Sequence, residues 1–458
     1  MKIFPDSRTE KACAYIAAEA EALGGKAYCV GGCVRDALLG ESPKDTDIEI
    51  YGVSAQNIEK ILSKKFRFEI VGKSFGVWIL KGYNIDVSMP RTERKIGGGH
   101  KAFKIEGDPN LSFSEACARR DFTINAMLYD ISSGEIIDVF NGRSDLFNHV
   151  LRHTSERFSE DPLRVLRAMQ FVARFDMSPA PETVELCSKI QIESLPGERI
   201  FEEWKKLILK GKKISEGLFF LRDCGWIKYF PALKAMDKCP QDPRWHPEGD
   251  VYTHTAYAMD CFAQNRTGID EEDLIVGLAV LCHDMGKPKT TTVDSDGAIH
   301  SYGHDIAGVK CAGAFLSQIT REKSLIDAVL PLVERHMAIL DLYRSNAGDS
   351  AIRRLANKVG RIDRLVRVDQ ADRGGRPPIL PEASPQGEWI LKKAEALAIK
   401  DSAPKPILLG RHLIEEGLAP SAEFGKILDA CYEAQLDGAF FTLDEAKVFL
   451  KNFLGKNG

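Results

Sequence analysis

The chain has 458 residues, 44% of them apolar and 28% charged, with a formal net charge of −4. That length exceeds one hydrophobic core and suits roughly three or four compact domains, while the balanced composition excludes a disordered or fibrous chain. No run approaches the roughly 20 apolar residues that cross a bilayer, MKIFPDSRTEK has no apolar leader, and the small negative charge offers no global attraction to nucleic acid.

A cytoplasmic protein without membrane contact is expected, and nothing points to an obligate protein partner. Any RNA contact must come from local basic patches such as Lys205, Lys206, Lys210, Lys212 and Lys213. The eleven cysteines are odd in number and form no CxxC pair, so they read as reduced core thiols.

Residues 12–23 are predicted helical, and KAYCV (26–30) is a short strand that runs into Gly31-Gly32 and the helical CVRDALLG. A glycine pair between strand and helix lets the backbone approach a ligand closely, and the helix start behind it presents free N–H groups to phosphate. Arg35 and Asp36 lie one turn into that helix. Asp45 and Asp47 follow at i, i+2 on a predicted strand, TDIEIYG, and alternation puts both carboxylates on one face. Two convergent carboxylates bind Mg²⁺ ions that orient a triphosphate and activate an attacking hydroxyl. Further strands are read at FRFEIVG, FGVWIL and NIDVSM, the last offering Asp86 as a third carboxylate.

From about residue 151 the periodicity turns helical, in DPLRVLRAMQFVARF, IFEEWKKLIL and EGLFFLRDCGW. The turn-rich CPQDPRWHPEGD (239–250) reads as a linker before another helical block. GGRPPILPEASPQGEW (374–389) marks a second break before a C-terminal helical piece.

Four motifs stand in series: VGGCVRDALLG, KDTDIEIYG, RRDFTINAM (119–127) and EDPLRVLRA (160–168). Together they resemble the class of tRNA nucleotidyltransferases that includes bacterial CCA-adding enzymes and their poly(A) polymerase relatives, over the first ~210 residues. The resemblance implies template-independent addition of CCA to tRNA from CTP and ATP. It implies that Asp45 and Asp47 bind Mg²⁺, with Asp86 as the third carboxylate where many relatives carry Glu. Gly31, Gly32 and Arg35 fall in the nucleotide-binding turn. Arg119, Arg120, Asp121 and Asn125 match the segment that handles the incoming nucleotide's ribose and phosphates, and Asp161, Arg164 and Arg167 match the one that selects the base. The glycine-bearing segment 92–109 matches the loop that switches from C to A.

Asp161 and Arg164, at i and i+3 on a predicted helix, lie side by side. A carboxylate only accepts hydrogen bonds and a guanidinium only donates. Cytosine and adenine both show an amino donor beside a ring-nitrogen acceptor, whereas uracil and guanine reverse that order, so one Asp/Arg pair accepts C and A and rejects U and G. The plainer alternative is an intrahelical salt bridge.

Of ten histidines, six crowd into residues 246–336: His246, His254, His283, His300, His304 and His336. Histidine is a common ligand of catalytic divalent metals, and His283-Asp284 lies in the helical run LAVLCHDMGK. The series His254, His283-Asp284 and Asp372 resembles the HD phosphohydrolase superfamily, which implies that these four ligate one divalent metal, Mg²⁺, Mn²⁺ or Ni²⁺. His300, His304 and His336 are then supporting or phosphate-contacting groups, and Asp369 stands as an alternative to Asp372. RWHPEGDVYTHT fits the start of the HD segment in the subset of bacterial CCA-adding enzymes that carry one, and 407–438 fits their helical tail.

The expected fold is α+β: a small nucleotidyltransferase α/β palm or head (1–150), an all-α neck and body (151–240), a helical HD phosphohydrolase domain (241–376) and a helical tail (377–458). The competing readings are a poly(A) polymerase, a partial enzyme adding only A or only CC, and, from another class, a catalytically inactive RNA-binding protein. Intact Asp45, Asp47, Asp161, Arg164, His283 and Asp284 argue against the last.

Overall fold

A computed structural model describes residues 2–71, 76–95, 103–192, 195–377 and 384–457. The chain forms two compact units, residues 1–207 with 216–229, and residues 208–215 with 230–458. The division is coarser than the four parts read from sequence. Head and neck share the first unit, and the break falls at Phe230, ahead of the turn-rich segment.

In the first unit, helix α1 (Ser7–Glu21) begins at Ser7 rather than residue 12, because Asp6 caps it by accepting from the Thr9 amide at 2.7 Å. It leads into β1 (Lys26–Val30), α2 (Gly32–Leu38), β2 (Thr46–Tyr51), α3 (Ala55–Ser63), β3 (Phe68–Val71), β4 (Val77–Leu80) and β5 (Ile85–Ser88). After β6 (Arg91–Lys95) and β7 (Phe103–Gly107), which pair as a separate antiparallel ribbon, come α4 (Phe113–Ala118), β8 (Leu128–Asp130) and β9 (Ile136–Ile137). Three of the four glycines of the 92–109 loop, Gly97, Gly98 and Gly99, lie outside the described residues.

The head sheet has the order β3-β4-β5-β2-β1-β8-β9. Only β2 and β5 pair in parallel; β1 pairs antiparallel with both β2 and β8. Ile16, Ile48, Ile58, Trp78 and Val87 belong to one buried cluster that fastens α1 and α3 to the sheet. The neck follows as α5 (Gly142–Phe147), α6 (Leu163–Phe175), α7 (Pro181–Lys189), α8 (Gly197–Lys210) and α9 (Ile214–Asp223). One short parallel pairing of Val150–Leu151 with Ser178–Pro179 departs from an all-helical neck.

The second unit runs α10 (Pro231–Met236), α11 (Val251–Gln264), α12 (Asp270–Cys282), α13 (Lys287–Thr290), α14 (His304–Ile319), α15 (Lys323–Arg335), α16 (Ala338–Arg344), α17 (Asp349–Val359), α18 (Ile362–Gly374) and α19 (Pro385–Ala396). The tail is α20 (Gly410–Glu415), α21 (Glu423–Leu436) and α22 (Leu443–Asn457), gathered around Leu413, Phe440 and Leu450. From Leu274 to Cys282 every residue of α12 is buried. A helix apolar on all sides belongs in the centre, and α12 packs against α11, α15 and α18. No helix among the described residues is long and apolar enough to cross a membrane. The cysteines are free thiols, nearly all buried, as core thiols should be.

Candidate functional site

The sheet builds the first site. β1 ends at Val30 opposite Asp47, and on the other side of β2 the parallel register sets Asp47 beside Asp86. Asp45 stands just before β2, so it belongs to the strand's approach and not to the strand itself. Among the described residues these three carboxylates do not close to within 4.8 Å of one another. They are near enough to feel each other. Solvent reaches Asp47, yet desolvation by the surrounding protein pushes its carboxyl up to about 6, Asp86, Asp45 and Glu49 adding to the rise against the pull of Arg120. Desolvation and Asp45 also raise Asp86.

Gly31 sits in this cleft with φ of 75°, a left-handed conformation that favours glycine. A Cβ there would lie 3.0 Å from Arg120 Nη1 and 3.7 Å from Asp47 Oδ2. The helix behind it has only seven residues. Gly31 therefore serves by allowing close approach, and the expected contribution of the helix dipole is small.

Glu49, one alternation beyond Asp47, was not singled out in the sequence. Its buried Oε1 accepts from Arg119 Nη2 at 2.8 Å and Arg120 Nη2 at 2.9 Å, tethering both arginines to β2. Arg120 keeps a buried Nε–H with no acceptor among the described residues.

Behind the cleft runs a chain of buried polar contacts. Arg35 donates to Asp36 Oδ1 at 2.6 and 2.8 Å and to Asn125 Oδ1 at 2.6 Å, and its guanidinium lies 4.5 Å from the Phe175 ring centre. Asn125 Nδ2 donates to Asp121 Oδ1 at 2.9 Å, and Arg167 donates twice to Asp121 Oδ2 at 2.6 and 2.8 Å. Against the desolvation that would raise it, Arg167 and Asn125 hold Asp121 down to about 2. Arg35, Asp121, Asn125 and Arg167 thus spend polar groups on one another and on Asp36.

Asp161 and Arg164, expected side by side on one helix, differ from that geometry. Asp161 is extended, with φ −120° and ψ 103°, because Pro162 follows it, and it stands before α6. Its Oδ2 accepts from Arg199 Nη2 at 2.8 Å. Arg164 donates instead to the carbonyls of Arg157, at 2.8 Å, and Arg119, at 2.5 Å. The two side chains thus have separate anchors, and Asp161 stands ahead of the helix that carries Arg164.

The second site is the histidine cluster. His283-Asp284 follows the central helix α12, His254 comes from α11, Asp372 from α18, His336 from the end of α15 and His304 from the start of α14. In each of the four histidines Nδ1 faces an oxygen: Glu248 Oε1 at 2.7 Å for His254, and the carbonyls of Val280 at 2.6 Å, Ser301 at 2.7 Å and Val333 at 2.8 Å for His283, His304 and His336. Those oxygens accept, which assigns the proton to Nδ1 and leaves each Nε2 a lone pair when the ring is neutral. His254 Nε2 is 3.1 Å from Asp372 Oδ1, and His283 Nε2 is 3.2 Å from Asp284 Oδ2. His304 and His336 present their Nε2 atoms to each other at 3.1 Å, and Asp284 Oδ1 is 3.4 Å from His304.

Among the described residues three groups of three ligand atoms each fall within 4.8 Å: His254 with His283 and Asp372, Asp284 with His304 and His336, and His246 with Glu248 and His254. Lone pairs facing one another this closely are relieved by a positive charge among them, a proton or a metal ion. His283 Nε2 is moreover buried without a hydrogen-bond partner, so the donor set fits a divalent metal. Burial pushes His336 down to about 4, keeping it neutral. Against desolvation, His283 and Lys287 hold Asp284 well below the usual carboxylate range, and His254 and Arg376 do the same for Asp372.

Asp369, the alternative ligand, instead accepts from Ser384 Oγ at 3.0 Å and lies outside these groups. His300 also stays out, pairing with Asp294 at 3.3 Å. Residues 239–250 prove to be more than a linker. Gln241, Asp242, Trp245 and His246 line the pocket, and Glu248 accepts from both His254 and His246. Lys287 and Arg376, which the sequence did not single out, sit 2.7 and 3.1 Å from Asp284 and Asp372.

Residues 27–152 match the family model described as the poly A polymerase head domain. Over its whole length the chain is similar to a CCA-adding enzyme of Bacillus stearothermophilus in complex with CTP, at 22% identity and a TM-score of 0.66, with 98% of each chain covered. It is also similar to the Thermotoga maritima CCA-adding enzyme complexed with tRNA, at 21% identity and a TM-score of 0.61, covering 98% of this chain and 96% of that one. A CCA-adding enzyme in complex with ATP matches at 21% identity and a TM-score of 0.62 over 96% of this chain and 93% of that one. Residues 27–152 are thus similar to a poly A polymerase head domain, and the chain as a whole has the fold of bacterial CCA-adding enzymes.

Proposed function

We propose that this protein adds nucleotides to the 3′ end of tRNA without a template, building or repairing CCA from CTP and ATP, and that its second unit is a metal-dependent phosphohydrolase. The observation that carries the first part is the cleft of the head. There Asp47 and Asp86 face each other across β2 and β5, Asp45 stands beside them, and two arginines hang from the buried Glu49. The similar structures are titled as CCA-adding enzymes with CTP, ATP and tRNA, which supports the same substrates here.

The reaction joins the RNA 3′ oxygen to the α-phosphorus and expels pyrophosphate. Desolvation, with repulsion from neighbouring carboxylates, raises Asp47 and Asp86 and suits them to Mg²⁺, which when bound would supply charge neutralisation to the triphosphate. Arg119 and Arg120 complement the same charge, and Glu49 fixes where they stand. Gly31 leaves room for the phosphates. Arg164, anchored through two carbonyls, retains further N–H donors for a base edge, and Asp161 supplies the acceptor.

In the second unit, His254, His283, Asp284 and Asp372 would hold the divalent ion, with His304 and His336 beside Asp284. Such an ion supplies Lewis acidity to a phosphoryl group. Glu248 holds His254 in the tautomer that presents Nε2, and Lys287 and Arg376 offer positive charge to a phosphate. The ligand set supports 2′,3′-cyclic phosphates and 2′-phosphates at RNA ends as substrates, since a blocked terminus must be cleared before extension.

The test is tRNA lacking CCA incubated with CTP, ATP, UTP and GTP, singly and together, with products resolved to one nucleotide. C, C and then A should be added only when CTP and ATP are both present. A long tract from ATP alone would make it a poly(A) polymerase, and A added only to a CC end would make it a partial enzyme.

A further inference from the structure

We infer that Trp245 and Tyr302 form a rim that takes the base of the phosphate ester on which the histidine cluster acts. The inference rests on the hydrolase reading above and assigns the part of that site that holds the base. The pocket beside the cluster has a volume of about 280 Å³. Its floor is Asp284, His304, His336 and Asp372, flanked by Lys287 and Arg376. Its mouth carries Trp245, His300 and Tyr302.

Trp245 is 65% exposed and Tyr302 80%, whereas Trp78, Trp204 and Trp226 are at most 1% exposed. Folding gains little from large rings left in water, and two of them at the mouth of one pocket mark a surface meant to be covered. The rings are held in place. Tyr302 stacks on His300 with centroids 5.2 Å apart and planes 12° from parallel, a flat platform already assembled. Trp245 sits in a turn fixed by its own amide, which donates to the Asp242 carbonyl at 3.0 Å, and by Arg244 clamped on the Asp242 carboxylate at 2.5–3.1 Å.

Floor and rim ask for different chemistry. Cations and metal ligands select a phosphate, and a plain phosphate ester would need nothing more. Aromatic faces add affinity only for a planar apolar group, and a nucleobase joined through ribose to phosphate supplies both. Any base offers such a face, so the rim is expected to be tolerant of base identity. Hydrolysis adds water across the ester: a water oxygen bonds to phosphorus, the P–O bond to the sugar breaks, and a proton ends on the leaving sugar oxygen, releasing phosphate and the nucleoside.

The experiment uses the full-length protein with added Mg²⁺, Mn²⁺ or Ni²⁺ and compares adenosine 2′-monophosphate, an RNA oligonucleotide ending in a 2′-phosphate, and glycerol 2-phosphate, which has no ring. Trp245→Ala and Tyr302→Ala should each lower kcat/KM for the two nucleotide substrates relative to glycerol 2-phosphate by on the order of tenfold, through KM, as the loss of one base stack does. Trp245→Phe and Tyr302→Phe keep a ring and should restore the ratio. Adenosine 2′-monophosphate should also quench Trp fluorescence in the parent and not in Trp245→Phe. A ratio unchanged in both Ala variants while the parent hydrolyses all three esters overturns the rim and leaves the hydrolase reading standing. A parent that hydrolyses none of them overturns the hydrolase reading and the rim with it. Loss confined to the oligonucleotide would assign the platform to RNA ends alone, and equal loss on both nucleotides to the terminal nucleotide itself; either supports the inference.

Discussion

Removing the Glu49 carboxylate probes most sharply how the head cleft is assembled. The residue is 2% exposed; Oε1 accepts from Arg119 at 2.8 Å and Arg120 at 2.9 Å, and Oε2 accepts from the Tyr51 hydroxyl at 3.1 Å. Glu49→Ala leaves two guanidinium groups, 13% and 15% exposed, without this acceptor. Breaking a buried ion pair from one side costs about 3–5 kcal/mol, and because some water reaches both arginines the lower end, about 3 kcal/mol, is expected. Glu49→Gln keeps an oxygen acceptor and loses only the charge, for on the order of 1–2 kcal/mol. A chain of two units has no single unfolding transition, so the readout is native-state hydrogen exchange at β1 and β2 amides, which reports the head alone. The released arginines should also raise KM for the incoming nucleotide in both variants. If Glu49→Ala shifts exchange by less than about 1 kcal/mol, within the range of ordinary surface changes, the carboxylate does not hold the cleft together.

Gly31→Ala should cost about 1–2 kcal/mol through its left-handed backbone and displace Arg120, lowering nucleotide addition; full activity would show that the close approach at Gly31 is not used. Because Asp47 is raised to about 6, it carries a proton below that pH and a charge above it, so Mn²⁺ binding to the head should be strong above pH 6 and weaken as the pH falls through it. A binding profile flat between about pH 8 and 5, followed by electron paramagnetic resonance of free Mn²⁺, would contradict that role. Glu248→Gln should weaken divalent metal binding in the histidine cluster by about tenfold, read by competition with a chromogenic chelator, with the helical content unchanged. Unaltered affinity would show that His254 needs no such partner.

The head was legible in the sequence where local rules decide the outcome. The strand of KAYCV, the glycine turn and the alternation at Asp47 depend on neighbours a few residues away, and all three stand in the structure. The pairing of Asp47 with Asp86 depends on β2 and β5 lying parallel across the intervening α3, β3 and β4, which no local pattern encodes. Glu49 escaped notice for a similar reason. Nothing local marks a strand glutamate as a tether, and only the approach of Arg119 and Arg120 from across the fold makes it one. Asp161 was placed on a helix because its spacing to Arg164 fits one, but the backbone preference of a residue before proline won. The Pro- and Gly-rich run 239–250 was read as a linker from composition, yet irregular backbone can also wall a pocket. His246 and the His-rich motif downstream were the available signal that it does.

The most direct measurement is a time course on tRNA lacking CCA, with CTP and ATP and single-nucleotide resolution, run on the parent, Asp47→Asn and His283→Ala. The parent and His283→Ala should both extend the RNA by C, C and A at comparable rates, while Asp47→Asn adds nothing. Extension by Asp47→Asn at the parental rate, or none by the parent, would contradict nucleotide addition at the cleft between β2 and β5.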